Sequence, residues 1–171
     1  MMTSRFVKCA VAVGAIGLAA VLPSNAQAAN TTATAAAVVA TAIGIANTAD
    51  MDFGTIGATG TLGTVVLGTD GSRTCTDVDC LSGGLGAAAS FNVTGEGNNT
   101  YSILITGDPV TLNNGGFSMT ATSFVTNPTS PGTLSSGSQT LLVGATLTVG
   151  ATQATGTYLS TTPFTVTVNY N

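Results

Sequence analysis

Residues 139–149, QTLLVGATLTV, decide the fold class of this chain. Successive side chains of a β-strand point to opposite faces, so a strand buried on one face repeats apolar residues at every second position. The stretch repeats them in this way for its whole length, which predicts a long strand with one buried face. The inward residues are Leu141, Val143, Ala145, Leu147 and Val149.

The same alternation recurs on both sides of this strand, between turns rich in Gly, Asn and Pro. It predicts further strands at residues 63–67, 87–94, 100–106, 117–125 and 163–171. Seven to nine short strands without a helical segment are typical of an all-β, antiparallel β-sandwich.

Three local expectations refine this outline. Residues 87–94 and 100–106 are expected to pair as a hairpin around the loop at 95–99. In the strand at 117–125, every second residue from Phe117 to Val125 is expected to face inward. Thr, Val and Ile favour one more strand at residues 34–46, although Ala favours a helix there.

Residues 1–28 are typical of a secretory signal peptide. Arg5 and Lys8 precede an apolar run at residues 9–22. That run is shorter than the roughly 20 residues that cross a bilayer. The sequence Ala-Gln-Ala then ends at Ala28, so we expect cleavage between Ala28 and Ala29.

The mature chain, residues 29–171, is predicted to be one domain. Its length is sufficient to bury a hydrophobic core. We expect a secreted protein, located in the periplasm or on the surface of a bacterium, with no membrane span after processing.

Composition excludes several kinds of chemistry. The chain has no His, and its only cation after Lys8 is Arg73. Without His there is no Ser-His-Asp triad and no His metal ligand. A single Arg cannot neutralise the phosphates of a nucleic acid. Residues 29–171 contain no Lys, so subunits of the mature chain cannot be joined through lysine side chains. We therefore expect no enzyme activity, no cofactor, and no nucleic-acid partner.

Cys75 and Cys80 are the two cysteines of the predicted mature chain. An even pair in an exported protein predicts a disulfide. The loop that it closes is short, so its contribution is expected to be about 2 kcal/mol, at the tip of a hairpin. Asp70, Asp77 and Asp79 surround this loop and carry oxygen ligands of the kind that calcium prefers. Their spacing matches no calcium loop, so no metal site is predicted and calcium binding stays open.

An ordered set of short motifs resembles a family of secreted bacterial proteins. The motifs are MDFGTI at 51–56, GTVVL at 63–67, FNVTG at 91–95, YSI at 101–103, LVGATL at 142–147, GTY at 156–158 and FTVTVNY at 164–170. In this order they resemble the family called domain of unknown function 4402. The motif near residue 52 and the terminal strand also resemble, more distantly, spore coat protein U and the archaic chaperone–usher pilus subunits.

The resemblance implies an immunoglobulin-like sandwich that a neighbour completes by β-strand addition. The candidate donor strand is residues 31–39, and its inward side chains would be Ala33, Ala35, Ala37 and Val39. The candidate acceptor edge consists of Phe164, Val166, Val168 and Tyr170.

The expected function is that of a pilus-like or adhesive surface subunit that assembles without covalent bonds. Its partners would be copies of itself or related subunits, together with a periplasmic chaperone. Two alternatives stay open. One is a self-complete monomer whose N-terminal segment pairs with its own sheet. The other is a monomeric binding module for carbohydrate or matrix that uses the loops at 95–99 and 113–116.

Overall fold

The computed structural model describes residues 28–171, and all the regular elements in that range are β-strands. Residues 38–171 form one compact unit. All of the predicted signal peptide except Ala28 lies outside the described residues, so that interpretation stays a prediction. The strands are β1 (Gly44–Ala49), β2 (Ile56–Ala58), β3 (Gly63–Leu67), β4 (Arg73–Thr76), β5 (Val78–Cys80), β6 (Ala89–Thr94), β7 (Thr100–Thr106), β8 (Val110–Asn114), β9 (Phe117–Asn127), β10 (Gly132–Thr133), β11 (Ser138–Val149), β12 (Leu159–Ser160) and β13 (Thr165–Tyr170).

The long strand β11 is the centre of the larger sheet. It pairs antiparallel with β9 along one side. Along its other side, its first half pairs with β6 and its second half with β3. Strand β1 extends the sheet beyond β6, β4 extends it beyond β3, and β8 and β12 extend it beyond β9. Strand β11 therefore joins segments from the whole length of the compact unit.

A smaller sheet, in the order β10-β7-β13, forms the second layer. One apolar cluster lies between this layer and the first half of β11, and it includes Val93, Tyr101, Leu134, Leu141 and Val168. A second cluster lies on β3, β9 and the second half of β11. The predicted inward residues of β11 are all buried, with exposed fractions of 0–2%. The prediction of an all-β, antiparallel sandwich is confirmed.

The number of strands is larger than the seven to nine expected. Five of the thirteen strands in residues 28–171, namely β2, β4, β5, β10 and β12, contain only two to four residues. A segment of that length is too short to show alternation in the sequence. Strands β2 and β5 pair only with each other, as a small separate sheet, in this part of the chain.

The hairpin predicted for residues 87–106 is wrong. Strand β6 pairs with β1 and β11 in the larger sheet, whereas β7 pairs with β10 and β13 in the smaller one. The loop at 95–99 is therefore a crossover between the two layers. Val93 and Tyr101 still face inward, but they approach the same core from opposite sheets.

The predicted inward row of β9 is only partly correct. Met119 and Ala121 are buried. Ser123 then adopts a positive φ of 56°, and the register with β11 shifts beside it. The bulge moves Phe124 to the core side, while Val125 is 51% exposed. Phe117, at the start of the strand, is 49% exposed.

The strand predicted at residues 34–46 begins only at Gly44. Residues 28–42 are exposed, and Val38 and Val39 are 97% and 95% exposed. The Ala-rich part of this segment has little apolar surface to bury, so its β propensity alone does not order it as a strand.

The predicted disulfide between Cys75 and Cys80 is present, with Cα atoms 5.9 Å apart. It does not lie at a hairpin tip as expected. Strand β4 pairs with β3, while β5 pairs with β2. The bond therefore spans the turn at which the chain passes from the larger sheet to the small one.

Gly144 lies where β6 and β3 meet along the same side of β11. Val143 pairs with β6 and Ala145 pairs with β3. A Cβ atom on residue 144 would collide with the Leu67 carbonyl oxygen and would lie 3.0 Å from the carbonyl carbon of Gly68. The junction of the two strands therefore requires glycine at this position.

We predict that Gly144→Ala lowers the free energy of unfolding by about 1–3 kcal/mol, because backbone rather than a mobile side chain must shift. Urea denaturation measures the loss. Gly116→Ala is the matched control, because a Cβ there meets nothing within 4 Å. Equal stability of the two variants would contradict the proposed close approach.

Candidate functional site

A cleft of about 1460 Å³ opens beside the second apolar cluster. Its floor is the inner face of the larger sheet, and its walls are residues 50–58 and 153–164. The floor residues are Val110, Met119, Ala121, Leu147 and Val149. These side chains belong to the hydrophobic core, and they are only 1–9% exposed at the floor of the cleft.

The cleft exists because the second layer covers only part of the larger sheet. Among the described residues, the buried members of this cluster include none from β7, β10 or β13. Loops cover the second half of β11 instead, and loops fill space less regularly than a packed sheet does.

Aromatic residues form the wall nearest to β13. The Phe164 ring lies 4.8 Å from that of Phe124 and 6.3 Å from that of Phe91, measured between centroids. Tyr158 stands near them and donates its hydroxyl to the Ala154 carbonyl oxygen at 2.7 Å. This wall is aromatic and largely apolar, which suits the burial of apolar side chains.

Strand β13 begins directly after Phe164, which lines the cleft, and it has an open edge. It pairs with β7 on one side, and no other described strand pairs with it. Of the predicted acceptor residues, Val168 is buried, whereas Val166 and Tyr170 are half-buried and Phe164 lies just before the strand. The free side of β13 therefore offers unpaired backbone groups, and the cleft lies at the end of the strand where Phe164 precedes it.

The predicted donor residues lie outside the described strands. Ala33, Ala35, Ala37 and Val39 are exposed. Val39 belongs to the compact unit, and the chain continues from it to Thr41, which is anchored to the sandwich.

Two polar side chains hold Thr41. The Thr41 amide donates to Glu96 Oε2 at 3.1 Å. Tyr170 donates its hydroxyl to the Thr41 carbonyl oxygen at 2.9 Å and accepts a hydrogen bond from the Glu96 amide. Hydrogen bonding from the Thr41 side chain, and after it from the Thr41 amide, favours the charged carboxylate and lowers the pKa of Glu96. Nothing in the alternation of the sequence identifies this anchor, because it depends on a crossover loop.

This anchor and the cleft lie at opposite ends of β13. Thr41 is fixed beside Tyr170, the last residue of the strand, whereas Phe164 at the other end lines the cleft. The six residues of β13 separate the two ends by about 17 Å at 3.3 Å per residue.

Arg73 supports another wall of the cleft. Its Nη1 donates to the carbonyl oxygens of Phe53 and Thr55 at 3.0 and 3.1 Å, and its Nη2 donates to that of Leu81 at 2.9 Å. Phe53 and Thr55 line the cleft. The sequence analysis did not identify this role, although one signal could have indicated it, namely that Arg73 is the only cation after Lys8.

The aspartates around the disulfide do not form a common site. Asp70 accepts hydrogen bonds from the hydroxyl and, second, from the amide of Ser72, and both lower the pKa of Asp70. Asp77 occupies the turn between β4 and β5 with a positive φ of 55°, and Asp79 lies within β5. In residues 28–171, no group of three His, Cys, Asp or Glu side chains is placed to hold a metal ion.

The two loops considered for ligand binding also lie apart. The loop at 95–99 follows Thr94, which pairs with the first residue of β11. The turn at 113–116 lies near the far end of β11, where Thr148 pairs with Thr120. The ten residues of β11 between these points span about 33 Å, so the loops do not form one site.

The fold and the cleft define this chain as an antiparallel β-sandwich with an incompletely covered core. A family model described as Domain of unknown function (DUF4402) matches residues 43–170. The chain belongs to this family. No curated protein and no solved structure matches it significantly. Across the described residues, the structure contains no helix with the length and apolar character needed to span a membrane.

We predict that Arg73→Met lowers the free energy of unfolding by about 1–3 kcal/mol, because three carbonyl oxygens lose a charged donor. Hydrogen exchange at residues 53–57 should become faster than in the parent chain. Ser72→Ala, which removes one hydroxyl from the neighbouring turn, is the control. Unchanged exchange of this wall in the Arg73→Met variant would show that the guanidinium does not support it.

We also predict that acid releases Thr41. The folded pKa of Glu96 lies below its ordinary value of 4.5, so the bond is complete above that pH and is lost as pH falls through the lower folded pKa. The Thr41 amide chemical shift should titrate with a midpoint below 4.5. Glu96→Gln should remove the titration. A midpoint at or above the ordinary value would contradict this anchor.

Proposed function

We propose that this protein is a secreted surface subunit that assembles without covalent bonds. In this proposal a neighbouring copy adds a β-strand along the open edge of β13 and covers the cleft. The observation that supports it is the combination of a strand edge with no described partner and a cleft over the half of the core that the second layer leaves uncovered. In strand addition, the added strand forms main-chain hydrogen bonds with the open edge. Its alternate side chains cover the apolar surface beside that edge.

The composition of β13 supports the same proposal. Proteins usually protect an exposed strand edge with charged residues, proline or a bulge. The sequence of β13, TVTVNY, contains no charged residue and no proline. Its register with β7 runs without a shift from Thr165 to Tyr170. An edge that is regular and unprotected is suited to pairing.

The anchor at Thr41 favours a strand from another copy over the chain's own segment. Thr41 is held beside Tyr170, at the end of β13. If residues 31–40 of the same chain lay along β13, they would have to reach Thr41 beside Tyr170, the C-terminal end of β13. Both segments would then run in the same direction, so the pairing would be parallel. A segment from another copy has no such restriction and can pair antiparallel, which is slightly more stable per residue.

The same geometry predicts the form of the assembly. The anchor of the N-terminal segment and the cleft occupy opposite ends of β13, so donor and acceptor surfaces differ. Such contacts are heterologous, and they produce rings or open filaments rather than two-fold dimers. We therefore propose a pilus-like filament at the bacterial surface, with a periplasmic chaperone that covers the cleft before assembly.

The small donor side chains limit the strength of the contact. Ala33, Ala35 and Ala37 would face a cleft of about 1460 Å³ and leave part of it unfilled. Apolar surface that the donor leaves uncovered gains nothing from the contact, because it stays exposed to water. The native contact should therefore be reversible, and larger side chains at these positions should strengthen it.

We predict that the processed chain forms oligomers and that deletion of residues 29–37 abolishes them while the fold is kept. Sedimentation velocity measures assembly, and circular dichroism with thermal melting measures folding. Loss of folding on deletion would instead show that this segment completes its own sheet. A processed chain that is monomeric at all concentrations would contradict assembly.

A matched pair of variants tests which face of the donor enters the cleft. Substitution of Ala33, Ala35 and Ala37 by Leu should lower the dissociation constant of assembly at least about tenfold. The reason is that burial of each added CH₂ contributes about 0.8 kcal/mol. Leu at positions 32, 34 and 36, which face outward in this register, should change assembly much less. Equal effects of the two sets would contradict the register.

The alternative of a monomeric binding module for carbohydrate or matrix has weaker support. Its two candidate loops lie at opposite ends of the sandwich. A monomer that keeps its fold after deletion of residues 29–37 and binds a glycan array would favour the module over strand addition.

A further inference from the structure

A regular array of threonines lies on the outer face of the larger sheet. Cross-strand pairs place one row across five strands, and that row is Thr76, Thr64, Thr148, Thr120 and Thr111. Two residues further along each strand, a second row crosses four of them, and it is Thr74, Val66, Thr146 and Thr122.

Both rows face away from the core. Directly opposed residues of an antiparallel pair point to the same face, and neighbouring residues of one strand point to opposite faces. The neighbours Val65, Leu147 and Ala121 are buried, which places the threonine rows on the outside. We call these two rows the threonine face.

The spacing of the threonine face is set by the sheet. Adjacent strands lie about 4.8 Å apart, and alternate residues of one strand are about 6.7 Å apart. Neighbouring strands twist by about 20–25°, so the array is nearest to planar on three adjacent strands. On β3, β11 and β9 this central part is Thr64, Val66, Thr146, Thr148, Thr120 and Thr122.

The threonine face is uncharged although the chain is acidic. All seven Asp and Glu residues lie outside β3, β4, β8, β9 and β11. The one cation of these strands, Arg73, points to the core side and binds the carbonyl oxygens of the cleft wall. The lack of charge favours a neutral partner, and the regular spacing favours a periodic one.

We propose that the threonine face binds the surface of ice. The water lattice of ice is neutral and periodic, and its oxygen repeats are close to the two spacings of this array. Each Thr offers a hydroxyl that can enter the lattice and a methyl group that favours the release of disordered water. Crystalline polysaccharide is a poorer match, because neither row carries an aromatic ring on which sugars could stack.

Partition into slowly grown polycrystalline ice tests this with the full processed chain. The parent protein should be enriched in the ice fraction and should inhibit ice recrystallisation. Thr148→Tyr places a bulky ring in the centre of the face and should reduce the ice fraction by about tenfold, as expected for a central contact residue. Thr106→Tyr, on the exposed face of the smaller sheet, should leave it unchanged.

The folding of each variant is checked by circular dichroism. If Thr148→Tyr does not fold, Val66→Tyr carries the test, since Val66 is 44% exposed on the central strand β3. Three results would overturn the proposal. The first is exclusion of the parent protein from ice. The second is an equal loss of ice binding in the Thr106 control. The third is a face variant that binds ice as the parent does but has lost self-association or binding to cellulose or chitin.

Discussion

The structure depends on the long strand β11, which pairs with other strands along both of its sides. The second layer of the sandwich covers only half of its length. Strand β11 supplies five residues that are buried to 2% exposure or less. Its first half is covered by the smaller sheet, and its second half is covered by loops around a cleft. Burial of apolar surface is the main favourable term in folding, so an incompletely covered core lowers stability. The cleft, the open edge of β13 and the proposed assembly all follow from this single deficit.

The sequence predicts what is local in this fold and misses what is not. Alternation located β3 and β11 to within one residue because their buried faces are continuous. It could not assign partners, since strand pairing depends on contacts far apart along the chain. The loop at 95–99 therefore looked like a hairpin turn, although it is a crossover. The bulge at Ser123 was hidden for a related reason, because a single inserted residue reverses the inward face without changing composition.

The candidate site shows the same division. The sequence and the resemblance together marked residues 164–170 as an edge, and β13 has an open edge among the described strands. Neither identified the anchor of Thr41 at Glu96 and Tyr170, or the support that Arg73 gives to the cleft wall. These contacts use single polar side chains, which leave no periodic signal. They matter because they fix where the N-terminal segment leaves the sandwich and how wide the cleft stands.

The scarcity of charge connects the two surfaces for which we propose functions. Only 6% of the residues are charged, and the acids lie in loops, turns and the short β5 rather than on the broad faces of the sheets. Charged side chains on an edge strand prevent unwanted pairing, so their absence from β13 exposes the monomer to misassembly. That exposure is tolerable if a partner strand covers the edge soon after folding. The scarcity of charge also leaves the outer face of the larger sheet neutral. Although each copy carries several acids, this face carries none, so neighbouring copies can lie side by side on a neutral lattice without charge repulsion between their binding faces.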